Sequence, residues 1–118
     1  MNELARPMPR PTAQVAPYVD ALGAETAVIF LLTYGGAELY ISDDPKGRSS
    51  HESLLGYDKA KALAAVTHRL PRRVPLAKQW LARMMNWQGH STALIARTLR
   101  ASDVAVRNWL KSDEGKAG

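Results

Sequence analysis

The apolar positions of this chain fall into short helical runs divided by glycine, proline and serine. Residues 13–22 ("AQVAPYVDAL") suit a short helix starting near Pro17. Residues 24–34 ("AETAVIFLLTY") predict a stronger one, with Val28, Leu31 and Leu32 on one face and Ala24 and Ala27 alongside. Gly35-Gly36 stops it. "AELYIS" (37–42) then alternates, with Glu38 and Tyr40 out and Leu39 and Ile41 in, which predicts a short strand. "DDPKGRSSHES" (43–53) has the composition of a loop. The next helix is expected from about Asp58 to His68, and "PRRVP" (71–75) is extended, because a residue before proline avoids the helical region. Pro75 suits the first turn of a further helix. There Leu76, Trp80, Met84 and Trp87 recur at helical spacing, with Ala77, Leu81 and Met85 beside them, up to Gly89. Ser91 and Ser102 are placed to cap two more short helices. Residues 1–12, with Pro7, Pro9 and Pro11, read as a disordered or extended arm, and residues 112–118 as a frayed tail.

A weak echo runs through the first half. Leu22-Gly23, followed by Ala27 and Phe30, lines up with Leu55-Gly56, followed by Ala60 and Leu63, at an offset of 33. Each copy ends in an extended piece, "LYIS" and "RRVP". Two units are too few for a solenoid. The two pieces can pair with each other or across a dimer, and Pro71 and Pro75 restrict the second to an edge.

The C-terminal stretch "IARTLRASDVAVRNWLK" (95–111) has the pattern of a helix-turn-helix. Ile95 and Leu99 face inward, and Ala96 is small enough to let two helices cross closely. Val106, Trp109 and Leu110 return to the core from the second helix. Asp103, Val104, Arg107, Asn108 and Lys111 are left outward. Arginine pairs bidentately with guanine and asparagine with adenine, while Lys111 can reach a phosphate. Asp103 can stabilise the helix N-terminus or accept from a cytosine amino group. Arg100 takes a turn position that commonly requires a left-handed backbone, where glycine is usual; a phosphate contact would explain its presence. The DNA-binding set expected from this half is Ser91, Thr92, Arg97, Arg100, Ser102, Asp103, Val104, Arg107, Asn108 and Lys111.

Charge sharpens this expectation. The net +5 of the 118 residues is unevenly spread. Residues 1–68 hold six Lys/Arg and eight Asp/Glu, net −2; residues 69–118 hold ten and three, net +7. A basic half is an electrostatic footprint for nucleic acid, although a plain solvated surface has the same composition. There is no cysteine, which excludes disulfides and thiolate metal sites. The longest apolar run, "AVIFLL" at 27–32, is far below membrane-spanning length, and "MNELARPMPRP" lacks a signal-peptide apolar region, so a cytoplasmic, nucleoid-associated protein with no membrane partner is expected.

"YGGAELYIS", "LLGYDKAKALA" and "QGHSTALIARTLRASDVAVRNWL" together resemble the Mor transcription activator family of bacteriophages and prophages, over roughly residues 20–111. The resemblance implies a homodimer built by helices and short strands, with Gly35, Gly36, Leu39, Tyr40 and Ile41 at the interface. It also implies a helix-turn-helix from each subunit in the DNA, and RNA polymerase as a further partner. The fold class expected is mainly α (α+β): an arm at 1–12, a dimerisation region at 13–74, a helix-turn-helix region at 75–111 and a tail at 112–118.

Other chemistry finds little footing. His51, His68 and His90 are scattered and suit surface or loop positions. Asp43, Asp44, His51 and Glu52 share one loop, but Asp-Asp-Pro before Lys-Gly is turn chemistry. Ser49, Ser50 and His51 lack an orienting acid for a triad. Trp80, Trp87 and Trp109 suit a core better than a stacking platform. "YGG" lacks the Lys-Ser/Thr of a phosphate loop. The expectation is therefore a DNA-binding regulator, with neither catalytic centre nor cofactor nor metal. Its rivals are a recognition subunit of a packaging or transposition machine, and an interaction protein with no DNA role.

Overall fold

The computed structural model describes the backbone of residues 6–117 and the side chains as far as Lys111. Among the described residues there are six α-helices and no strand longer than a single bridge. They are α1 (Ala16–Leu22), α2 (Ala24–Tyr34), α3 (Ser50–Ala65), α4 (Lys78–Trp87), α5 (Thr92–Leu99) and α6 (Asp103–Ala117). A 3-10 turn covers Thr67–Arg69. The chain forms two compact units, Pro11–Ala77, and Lys78–Gly118 with Met1–Arg10. The division falls at Ala77, three residues beyond the expected boundary.

In the Pro11–Ala77 unit, α1 packs on α2 and α3. Pro17 sits in the first turn of α1, where its missing N–H costs nothing. Tyr18, Leu22, Ala27, Phe30, Leu31 and Leu63 are all but inaccessible to solvent. The Tyr18 and Phe30 rings stack at 5.7 Å, and Tyr34 leans on Phe30 at 5.3 Å. Burying Phe30 alone stabilises the unit by about 1.5–3 kcal/mol. The sequence pattern assigned Leu32 to this face instead, but Leu32 is exposed. The helix follows its aromatic residue inward because Phe30 offers more area to bury.

The sequence echo is a structural repeat. Gly23 separates α1 from α2 with φ 83° and ψ 154°. Gly56 breaks α3 with φ 80° and ψ 167°. This corner is open almost only to glycine. Leu22 and Leu55, Ala27 and Ala60, and Phe30 and Leu63 are buried in matching pairs. The two copies also touch at corresponding positions. Lys59 Nζ donates to Thr26 Oγ1 at 3.1 Å, 33 residues away, and to the Leu22 carbonyl at 2.9 Å, covering the C-terminal end of α1.

Four expectations need correction here. The segment 37–42 is not a strand; its pairing is an isolated antiparallel bridge between Glu38 and Arg73. Gly36 N–H donates to the Val74 carbonyl at 2.7 Å and Val74 N–H to that of Ala37 at 2.8 Å. Pro71 and Pro75 bracket that partner and remove the donors that would extend the ladder. The loop at 43–53 ends early, because Ser49 Oγ accepts from the Glu52 amide at 3.2 Å and starts α3 at Ser50. Glu52 Oε1 in turn accepts from the Arg48 amide at 3.2 Å. His51 is thereby buried, 4% exposed, rather than on the surface. The helix expected over 58–68 stops at Ala65 and continues only as the 3-10 turn.

In the other unit, α4 packs on α5 and α6, and α5 on α6. Trp80, Leu81, Ala82, Met84 and Met85 line the inner face of α4. Leu76, expected on that stripe, precedes the helix and is exposed, since the backbone at Ala77 turns left-handed (φ 53°) and delays the helix to Lys78. The arm is a second departure from expectation. Residues 1–5 lie outside the described residues, but 6–10 lie against α4. Trp80 Nε1 donates to the Pro9 carbonyl at 3.4 Å, and Trp87 Nε1 to that of Arg6 at 3.0 Å. Arg6 Nη2 returns a bond to the Asn86 carbonyl at 3.2 Å. The indole N–H of the buried Trp80 needs an acceptor, and the proline-rich arm, short of donors but rich in carbonyls, supplies it. The tail is helical to Ala117 as part of α6.

Candidate nucleic-acid interface

Two serine caps fix the starts of the last two helices. Ser91 Oγ accepts from the Leu94 amide at 3.1 Å, and Ser102 Oγ from the Ala105 amide at 3.0 Å. Each satisfies a donor that the first helical turn leaves unpaired. Ile95, Ala96 and Leu99 bury one side of α5, and Val106 is fully buried on α6. Trp109 and Leu110 are half-buried. Arg83 Nε reaches the Trp109 carbonyl at 3.4 Å, tying α4 to α6.

Between α5 and α6 the chain reverses at Arg100, with φ 56° and ψ 49°. This is the left-handed turn expected from the sequence. Ala101 N–H donates to the Ala96 carbonyl at 2.9 Å, closing the end of α5. The reversal leaves the Arg100 side chain exposed.

The outward surface is built from the expected residues. Val104, Arg107, Asn108 and Lys111 are all exposed, and their spacing of three, four and seven places them on one stripe of α6. Ser102 and Asp103 stand exposed at its N-terminal end. Arg97 is exposed near the end of α5; Ser91 is exposed and Thr92 half-buried at its start. Among the described residues, ion pairs join Lys46 to Asp44, Arg69 to Asp20 and Arg73 to Glu38. None involves Arg97, Arg100, Arg107 or Lys111. Among the described residues the stripe therefore carries donors that no ion pair occupies. Among the residues whose side chains are described, Asp103 is the anion of α6, and its place in the first turn offsets the positive helix end.

The residues expected at a dimer interface are divided by the structure. Gly35 and Gly36 serve the turn inside their own unit. A Cβ on Gly35 would lie 2.7 Å from the Leu31 carbonyl oxygen and 3.2 Å from that of Pro75, so glycine is what lets the segments approach. Tyr40 is 84% exposed, while Leu39 and Ile41 are half-covered.

Sequence reasoning overlooked a cleft of about 260 Å³ lined by Pro45, Lys46, Gly47, Glu52, Tyr57 and Ala60. Its signal was Ser49-x-x-Glu52, a capping pattern hidden in loop-like composition. No cluster of three or more His, Cys, Asp or Glu able to hold a metal occurs among the described residues. Nor is any described helix long and apolar enough to cross a membrane. No family model, curated protein or solved structure matches the chain.

Proposed function

We propose that this chain binds double-stranded DNA sequence-specifically through α5 and α6, and that two copies act together as a transcription regulator of phage or prophage-type genes. The observation that carries the reading is the stripe of α6: Arg107, Asn108 and Lys111 exposed, and in no ion pair among the described residues, on a helix that is capped, backed by α4 and set off from α5 by a left-handed turn. The net +7 of residues 69–118 and the resemblance of the sequence to Mor activators support it. In this mechanism α6 enters the major groove. Arg107 and Asn108 read base edges, with Ser102 and Asp103 at the helix start. Lys111, Arg100 and Arg97 hold phosphates. The pairing of two copies, through Leu39, Tyr40 and Ile41, sets the spacing of half-sites.

The test is titration of labelled duplexes at several salt concentrations. Arg107→Ala should cost about 1–3 kcal/mol on the preferred site and relax one base position. Lys111→Ala should weaken all sequences alike and flatten the salt slope. Equal losses on preferred and random duplexes from both variants would displace the recognition face from α6. The absence of salt-dependent retention on DNA or heparin would favour a protein–protein module instead.

A further inference from the structure

The recognition stripe contains one residue whose chemistry differs from its neighbours. Val104, the second residue of α6, is 58% exposed. More than half of its surface meets solvent. It is a weak helix former, and a lysine or glutamate would solvate better. Its place is informative: it precedes Arg107 by three residues and Asn108 by four, so the three side chains adjoin on the helix surface. It also lies in the first turn, the part of a recognition helix that reaches base edges. A β-branched side chain in a helix is held close to one rotamer, so its two methyl groups form a fixed apolar knob beside hydrogen-bonding groups.

The major groove offers one apolar feature, the 5-methyl group of thymine. We propose that Val104 is a specificity-determining residue that reads a pyrimidine 5-methyl group, next to the base pairs addressed by Arg107 and Asn108. This rests on the DNA-binding reading above and adds to it a chemical identity for one base position. The contact is made by apolar surface alone and carries no phosphate, so it changes selectivity without changing salt dependence.

The experiment selects binding sites from a pool of duplexes with a randomised centre, using the full chain and its Val104→Ala variant. The pool is prepared three ways: with ordinary bases, with deoxyuridine in place of thymidine, and with 5-methylcytosine in place of cytosine. Alanine is the better helix former, and circular dichroism checks that the variant is folded. The wild type should enrich thymine at one position, lose about fourfold in preference there in the deoxyuridine pool, and accept 5-methylcytosine in its place. Val104→Ala should lose that preference alone, keep the salt slope, and retain the positions altered by Arg107→Ala. Methyl-indifferent enrichment, or an unchanged motif in the variant, overturns the role of Val104 while leaving DNA recognition standing. A wild type that enriches nothing and binds no duplex overturns both.

Discussion

The amide of Ala101 donates to the carbonyl of Ala96 at 2.9 Å across a left-handed arginine. The previous helix closes by the same kind of bond, from His90 to Met85 at 3.0 Å, but there the residue at positive φ is Gly89. Two helix ends of one small unit thus use the same device, one with glycine and one with Arg100. A left-handed arginine costs on the order of 1 kcal/mol relative to glycine. Arg100→Gly should therefore raise unfolding stability by up to about 1 kcal/mol in urea titrations. If Arg100 holds a phosphate, the same change lowers DNA affinity and makes its salt dependence shallower. Undiminished affinity would make Arg100 a surface residue with no part in binding.

Gly23 and Gly56 make a matched pair for substitution. Both have φ near 80°, and a Cβ on either would meet nothing within 4 Å. Alanine at either position is opposed by the backbone alone, at a cost on the order of 1–3 kcal/mol. Similar shifts of the chemical-denaturation midpoint are expected from Gly23→Ala and Gly56→Ala. A neutral Gly56→Ala would mean that α3 can straighten through its kink.

Tyr40 offers the cleanest probe of self-association. It is 84% exposed, so Tyr40→Asp leaves the packing of its own unit untouched. Alone, or with Ile41→Asp, it should shift sedimentation toward monomer and weaken DNA binding. A wild type that sediments as monomer at protein concentrations on the order of tens of micromolar would remove the dimer from the mechanism.

Burial pushes the Tyr18 hydroxyl up to about 12 from an ordinary value of 10.0. The folded state therefore holds this proton more tightly than the unfolded chain. The resulting stabilisation is complete below pH 10 and falls as pH rises through the interval from 10 to about 12. The loss amounts to about 1–3 kcal/mol. Urea titrations between pH 9 and pH 12 on the wild type and Tyr18→Phe check it: the phenylalanine variant should lose less stability over that interval.

The two capped helices α5 and α6 and the reversal between them were legible because each constraint is local. Ser91 and Ser102 announce the caps, Ile95, Leu99 and Val106 the inner face, and Arg100 the reversal. The repeat was legible too, since a glycine at that corner leaves a mark in sequence. What failed depended on distant partners. "AELYIS" alternates like a strand, but its length of pairing is decided by Pro71 and Pro75, more than 30 residues on. The 43–53 segment has loop composition, and only the Ser49–Glu52 cap, confirmed by burial of His51, draws its end into α3. The arm looked disordered because prolines form no ladder. Its order comes from indole donors 71 and 81 residues away.

That last feature bears on how the chain is made. The unit that holds α4, α5 and α6 is split in sequence, with its opening strip at residues 6–10 and the remainder after Ala77, whereas Pro11–Ala77 is continuous. At translation speeds of about 5–20 residues per second, the Arg6 carbonyl waits roughly 4–16 s for Trp87 to be synthesised. The middle segment can meanwhile fold around its own repeat. The order of synthesis thus delivers the paired-repeat unit before the α4–α6 unit is complete, and a shortened chain begun at Lys78 would carry α4, α5 and α6 yet leave two indole donors without the carbonyl acceptors of Arg6 and Pro9.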